Sequence, residues 1–99
     1  MTEENYKMAS KIMEHYGAEK QKDVLIEECA ELIQATEKTR RIKDAPDFTA
    51  NMVEEMADVF IMLLQFSSIM SEYWLKLFDV TLESKLKRQL ERIEGERLD

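Results

Sequence analysis

Chain-breaking residues are so rare in this sequence that they strongly constrain its fold. Only Gly17, Pro46 and Gly95 interrupt the 99 residues, whereas sheets joined by tight turns need many more such residues. Hydrophobic residues make up 44% of the chain, which is too apolar for a disordered protein. The sequence therefore predicts an all-α fold with long helices and short connections.

The apolar residues recur at three- and four-residue spacing, which is typical of amphipathic helices. Gly17 is expected to end the first helix and Gly95 the last, while Asp47 is a plausible N-cap for the third. No breaker marks the joint near residues 67–71, so one continuous bent helix is an alternative there. The pattern predicts long antiparallel helices over residues 2–16, 19–39, 48–70 and 72–93, with a loop at 41–47.

The third predicted helix constrains the assembly. From Val53 to Phe66 its apolar residues occupy every face, and such a helix is usually buried inside a bundle or in a subunit contact. We expect Asp58, in its middle, to be shielded from open water. From the length, residues 1–99 are expected to form a single domain. A domain of this size has few other residues with which to cover such a helix. A four-helix-bundle-like fold completed by oligomerisation is expected, as a homodimer or a dimer of dimers.

Charge and composition exclude several partners. The net charge of -7 argues against a nucleic-acid backbone. The longest apolar run, residues 59–64, is far shorter than the roughly 20 residues that cross a bilayer. The single cysteine fits a reducing compartment, and the N-terminus lacks the apolar core of a signal peptide. We therefore expect a soluble, cytoplasmic protein without nucleic-acid or membrane partners.

Acidic residues recur at three-residue spacing on two of the predicted helices. Glu55 precedes Asp58 on the third helix, and Glu28 precedes Glu31 on the second, so each pair lies on one helix face. If the two helices pack antiparallel, four carboxylates converge, and a hard divalent cation such as Mg²⁺ or Mn²⁺ would relieve their repulsion. The alternative, solvated acidic faces with no metal, stays open on this evidence alone.

Three short motifs occur in order along most of the chain. Glu27-Glu28-x-x-Glu31 is followed, after 23 residues, by Glu55-x-x-Asp58. This pair resembles the EExxE…ExxD signature of MazG-like nucleotide pyrophosphohydrolases. Lys85-x-x-Arg88-Gln89-x-x-Arg92 is similar to the basic KxxRNxxR element of that family, with Gln89 in place of its usual Asn. The resemblance covers residues 17–92.

The resemblance implies a fold, a reaction and a set of site residues. The family folds as a helical bundle working as a dimer or a dimer of dimers, and converts a nucleoside triphosphate to the monophosphate and pyrophosphate. By motif position Glu27 would orient water or support the metal site, and Gln21 is a further candidate for a nucleotide contact. The implied Mg²⁺ ligands are Glu28, Glu31, Glu55 and Asp58, and the implied phosphate-binding residues are Lys85, Arg88 and Arg92.

Three alternatives remain at this stage. The basic residues can instead form a solvated stripe paired with Glu91 or Glu94. The whole chain can be a non-enzymatic helical interaction module, for which an acidic Asp58 is not required. It can also be a hydrolase of the same fold that acts on another phosphate compound, such as phosphoribosyl-ATP or a dinucleotide.

Overall fold

The all-α prediction is confirmed by the computed structural model, which describes residues 2–41 and 46–98. These residues form four helices and no strand, and no helix among them is long and apolar enough to cross a membrane. The first three helices belong to one compact unit, Met1–Ile69, and the fourth to another, Met70–Asp99. The helices are α1 (Glu3–Tyr16), α2 (Ala18–Arg41), α3 (Pro46–Ser68) and α4 (Glu72–Leu98).

The joint between α1 and α2 is a single glycine: Gly17 ends α1 as predicted, and α2 begins one residue before its predicted start. Gly17 has a φ of 85°, and its N–H donates to the Met13 carbonyl at 2.8 Å. A side chain is disfavoured at positive φ, so glycine suits this helix end. At the other end of α1, the Thr2 hydroxyl accepts from the Asn5 N–H at 3.1 Å, so Thr2 is the N-cap rather than the first helical residue.

Both ends of the predicted loop at 41–47 belong to helices instead. Arg41 still belongs to α2, and Pro46 is the first residue of α3, where its missing N–H costs no intrahelical bond. Asp47 therefore lies in the first turn of α3 instead of capping it. Residues 42–45 of this loop lie outside the described residues.

The two ends of α4 differ in how well the sequence predicted them. A break at 69–71 separates α3 from α4, which excludes the single bent helix. The prediction that Gly95 ends the last helix is wrong, because α4 continues to Leu98. Glycine lowers helix stability by about 1 kcal/mol relative to alanine but does not forbid helical backbone, and an ion pair of 3.6 Å between Glu94 and Arg97 spans this position.

The core of the first unit is small and lies where α2 and α1 pack against α3. Two polar side chains are buried together in it: the Gln21 amide nitrogen donates to Gln65 Oε1 at 2.8 Å. Since Gln21 is near the start of α2 and Gln65 near the end of α3, α2 and α3 run antiparallel. The buried apolar residues are Ala9, Met13, Ala35 and Met62.

Helix α3 is less enclosed than its composition predicts. Of its residues only Met62 and Gln65 are buried, and Asp58 is exposed, so packing within the single chain does not shield it as expected. An apolar groove of about 500 Å³ runs between α1 and α3 and includes Phe60 and Ile61, which are 48% and 43% exposed.

Helix α4, considered by itself, has both apolar and charged residues on its surface. Among its residues with described side chains only Leu75 is even half-buried. Most helices in proteins are stabilised by packing of an apolar face, and the apolar side chains of α4 are available for such packing. The exposed ones are Tyr73, Trp74, Leu77, Phe78, Val80, Leu82, Leu86, Leu90 and Ile93.

Candidate metal centre

Four carboxylates come together on facing sides of α2 and α3. Each helix contributes two of them, three residues apart, so that both members of a pair point from one face. One oxygen atom from each of the four side chains lies within 4.8 Å of the others. We call this group the acidic cluster: it consists of Glu28 and Glu31 on α2 and of Glu55 and Asp58 on α3.

Two members of the acidic cluster are partly withdrawn from water. Glu28 and Glu55 are half-buried, whereas Glu31 and Asp58 are exposed. The Oε2 atoms of Glu28 and Glu55 are buried and accept no hydrogen bond from any part of the chain that the structure describes. Such an oxygen, cut off from water and without a donor, is costly, which points to a positively charged occupant.

The electrostatics of the acidic cluster favour uptake of a positive charge. Burial raises the pKa of Glu28, and the charges of Glu31, Asp58 and Glu55 raise it further. Burial likewise raises the pKa of Glu55. The charge and the adjacent carboxyl group of Glu31 raise this pKa further, and the charges of Asp58 and Glu54 add smaller increases. Both carboxyl groups therefore bind a proton more readily than usual, because burial and the neighbouring negative charges disfavour their ionised forms.

The donor set fits a hard divalent cation. Carboxylate oxygens are the ligands that Mg²⁺ and Mn²⁺ prefer. Opposite ligands of one Mg²⁺, with bonds of about 2.1 Å, lie about 4.2 Å apart, so the separations of at most 4.8 Å need only small side-chain movements. An ion between the carboxylates would also pair the two unsatisfied oxygens of Glu28 and Glu55.

Two other predicted site residues on α2 lie outside the acidic cluster. Glu27 is exposed next to Glu28, and it is not among the four converging carboxylates. Gln21 is buried, with 4% of its surface exposed, and its amide is bonded to Gln65. Their predicted roles, in orienting water and in contacting the nucleotide, stay predictions.

The three predicted phosphate-binding residues share α4, in the second unit. Lys85, Arg88 and Arg92 are all exposed, and we call them the basic stripe. Among the side chains described, none forms an ion pair with them, since Glu83 pairs with Lys87 and Glu94 with Arg97. The basic stripe is therefore exposed to solvent, but it lacks the ion pairs with Glu91 or Glu94 that the alternative interpretation predicted.

Gln65 is a residue near the acidic cluster that sequence reasoning missed. It lies seven residues after Asp58, and its partner Gln21 lies seven residues before Glu28. Seven residues are two helical turns, so each glutamine occupies the same helix face as an acid. That matched spacing was a usable signal, but only the packing of α2 against α3 pairs the two glutamines.

The fold and the acidic cluster together define a class of protein: an all-helical chain whose paired carboxylates can hold a divalent cation. The model of one family, described as the MazG nucleotide pyrophosphohydrolase domain, matches residues 16–92. The chain belongs to this family, and its membership indicates nucleotide pyrophosphohydrolase activity. No curated protein and no solved structure gave a significant match. The matched segment contains the acidic cluster and the basic stripe.

Proposed function

We propose that the protein hydrolyses a ribo- or deoxynucleoside triphosphate to the monophosphate and pyrophosphate, with Mg²⁺ as its cofactor and Mn²⁺ as a substitute. The observation that carries this proposal is the acidic cluster, with its two buried and unsatisfied oxygens. The family match supports the reaction class. Control of a nucleotide pool or removal of non-standard nucleotides is the proposed role, with action in the cytoplasm.

In this proposal the side chains of the acidic cluster are the metal ligands. A triphosphate carries about four negative charges, and the carboxylates alone would repel it. A bound divalent cation supplies the positive charge that reverses this repulsion and stabilises the transition state. Glu27, beside Glu28 and exposed, is proposed to orient the attacking water toward the α-phosphorus.

The basic stripe is proposed to bind the phosphate groups. Lys85, Arg88 and Arg92 follow one face of α4 at offsets of three and four residues, and none has an acidic partner among the described side chains. Arginine and lysine without such partners remain available for phosphate oxygens. Gln21 is kept as a proposed nucleotide contact, although its amide is already bonded to Gln65.

A homodimer, alone or paired into a tetramer, is the proposed assembly. The exposed apolar side chains of α3 and the groove between α1 and α3 support it, because such surfaces commonly mark subunit contacts. Sedimentation equilibrium measures the assembly directly. A monomer at micromolar concentration contradicts this part of the proposal and leaves the proposed reaction in place.

The test is pyrophosphate release from a panel of ribo- and deoxynucleoside triphosphates, with and without Mg²⁺. Asp58→Asn removes one charge of the acidic cluster, and Asp23→Asn makes the same change at an exposed acid of α2 outside it. We expect Mg²⁺-dependent release that Asp58→Asn loses and Asp23→Asn keeps. Equal activity in the two variants contradicts the assignment of the metal ligands.

The same panel distinguishes the two alternative functions. Phosphoribosyl-ATP and a dinucleotide are included, and hydrolysis restricted to one of these replaces the nucleoside triphosphate as substrate. No hydrolysis of any compound favours a non-enzymatic interaction module. In that case Asp58→Asn leaves partner binding intact.

A further inference from the structure

The buried pair of Gln21 and Gln65 lies on the same helix faces as the acidic cluster. From Gln21, seven residues along α2 lead to Glu28; from Gln65, seven residues back along α3 lead to Asp58. Three further residues in each direction lead to Glu31 and to Glu55. In an antiparallel pair of helices, equal steps in opposite directions keep residues opposite one another. The glutamine pair and the acids therefore follow one helix–helix register.

The contact between the two glutamines is selective because it is buried. Gln21 is 4% exposed and Gln65 is 2% exposed, and their amides are joined at 2.8 Å. The Gln65 amide nitrogen also approaches the sulfur of Met62 at 3.7 Å. A slip of one helix along the other by a turn would leave these amides buried without partners, which is costly.

The acidic cluster cannot fix its own register. Its four like charges repel one another, and the Oε2 atoms of Glu28 and Glu55 accept no hydrogen bond from the residues that the structure describes. Without a cation, electrostatics favours any arrangement that separates these acids. Some other contact between α2 and α3 must hold them opposite one another, and a buried polar pair is a known device for specifying the register of packed helices.

We infer that Gln21 and Gln65 are positioning residues, whose hydrogen bond holds α2 and α3 in the register that brings the four carboxylates together before a cation binds. The consequence for metal binding rests on the proposed function, whereas the effect on the helix register does not. It gives Gln21 a role different from the nucleotide contact considered above, and it assigns a role to Gln65.

The test replaces both glutamines together, Gln21→Leu with Gln65→Leu, so that no amide is left unpaired. The control is Met13→Leu, an apolar exchange at a buried position of α1. If the leucine pair does not give a cooperatively unfolding helical protein, Gln21→Met with Gln65→Met, closer in shape to glutamine, takes its place.

Two measurements are made on each protein. One is the distance between spin labels on the exposed native Cys29 of α2 and on Ala50→Cys in α3, without metal and diluted with unlabelled protein. The other is Mn²⁺ affinity by calorimetry. We expect the double variant to show a broadened or shifted distance, and at least about tenfold weaker Mn²⁺ binding, as for lost outer-shell support of metal ligands. Met13→Leu keeps both parental values.

An unchanged narrow distance in the double variant overturns the inference. If the distance is unchanged and steady-state kinetics gives a higher KM for nucleotide, Gln21 is a substrate contact instead. A parent protein that neither binds Mn²⁺ nor releases pyrophosphate contradicts the proposed function. The distance measurement still decides the inference in that case, because it needs neither metal nor substrate.

Discussion

The acidic cluster and the basic stripe carry opposite charges, and their geometries arise in different ways. The acids reach one another only because α2 packs antiparallel against α3, and two of them become partly buried as a result. The basic residues share a face of α4 through helical periodicity alone, and all of them are exposed. Tertiary packing thus creates new chemistry in the first group, whereas the second keeps the properties of separate solvated side chains.

The largest effect is expected for the acidic cluster, whose geometry depends on helix packing. Replacing any one of Glu28, Glu31, Glu55 or Asp58 with Ala should lower turnover by at least about a hundredfold, since the loss of even outer-shell partners costs 10–100-fold. Steady-state kinetics measures this, and circular dichroism checks that the helices remain. Near-parental turnover in two of the four variants would contradict the assignment of this group as metal ligands.

A smaller effect is expected on the basic stripe. Arg88→Ala should raise KM for a triphosphate by about tenfold, because a charge-assisted hydrogen bond contributes roughly 1.5–3 kcal/mol. Lys87→Ala is the matched control, since Lys87 lies one residue away and is already paired with Glu83 at 3.2 Å. An equal KM for Arg88→Ala and the parent returns the basic stripe to a solvated surface feature.

The pH dependence of the free energy of unfolding should also distinguish the acidic cluster from the exposed charged residues of α4. The raised pKa values of Glu28 and Glu55 mean that the folded, cation-free chain binds more protons than the unfolded chain above the ordinary carboxyl value of 4.5. The contribution of these two groups to the free energy of unfolding should therefore fall as pH rises through that window. Urea denaturation at several pH values without divalent cations measures the slope.

Glu28→Gln should reduce this slope and raise the stability of the cation-free protein at neutral pH, because it removes one of the crowded charges. Glu83→Gln, which removes one carboxylate charge outside the acidic cluster, provides the comparison. A steeper fall of stability with pH in Glu28→Gln than in the parent would contradict the raised pKa of Glu28.

The smallest effect concerns the ion pairs on the surface of α4. Removing the pair of Lys87 and Glu83, four residues apart and both 70% exposed, should lower the free energy of unfolding by only about 0.3–0.5 kcal/mol. A double-mutant cycle measures this coupling, which should shrink further in high salt. A coupling several times larger would mean that these charges are shielded from solvent in the assembled protein.

The sequence predicted the helices well because helical periodicity is local. The end of α1 at Gly17 and the spacing of Glu28 from Glu31 depend only on neighbouring residues. Gly95 misled the prediction, since a glycine late in a helix is compatible with continued helix when good helix formers follow it. The start of α3 at Pro46 was predicted two residues too late for a similar reason: proline is also a good first helical residue.

The acidic cluster was predictable as a set of residues but not as an environment. Pairwise spacing and the family resemblance singled out the four acids, whereas the exposure of Asp58 and the partial burial of Glu28 were not predictable from spacing. Burial depends on which residues face one another across α2 and α3, and the sequence alone does not specify that. The pairing of Gln21 with Gln65 is another contact of this kind.

The position of the single tryptophan has a spectroscopic consequence. Trp74, near the start of α4, is 56% exposed and packs edge-on against Tyr73, with ring centroids 5.0 Å apart. Indole emission from the free chain should therefore be red-shifted and accessible to acrylamide. A blue shift on assembly or on nucleotide addition would report that the beginning of α4 becomes covered, giving a label-free signal for events at that helix.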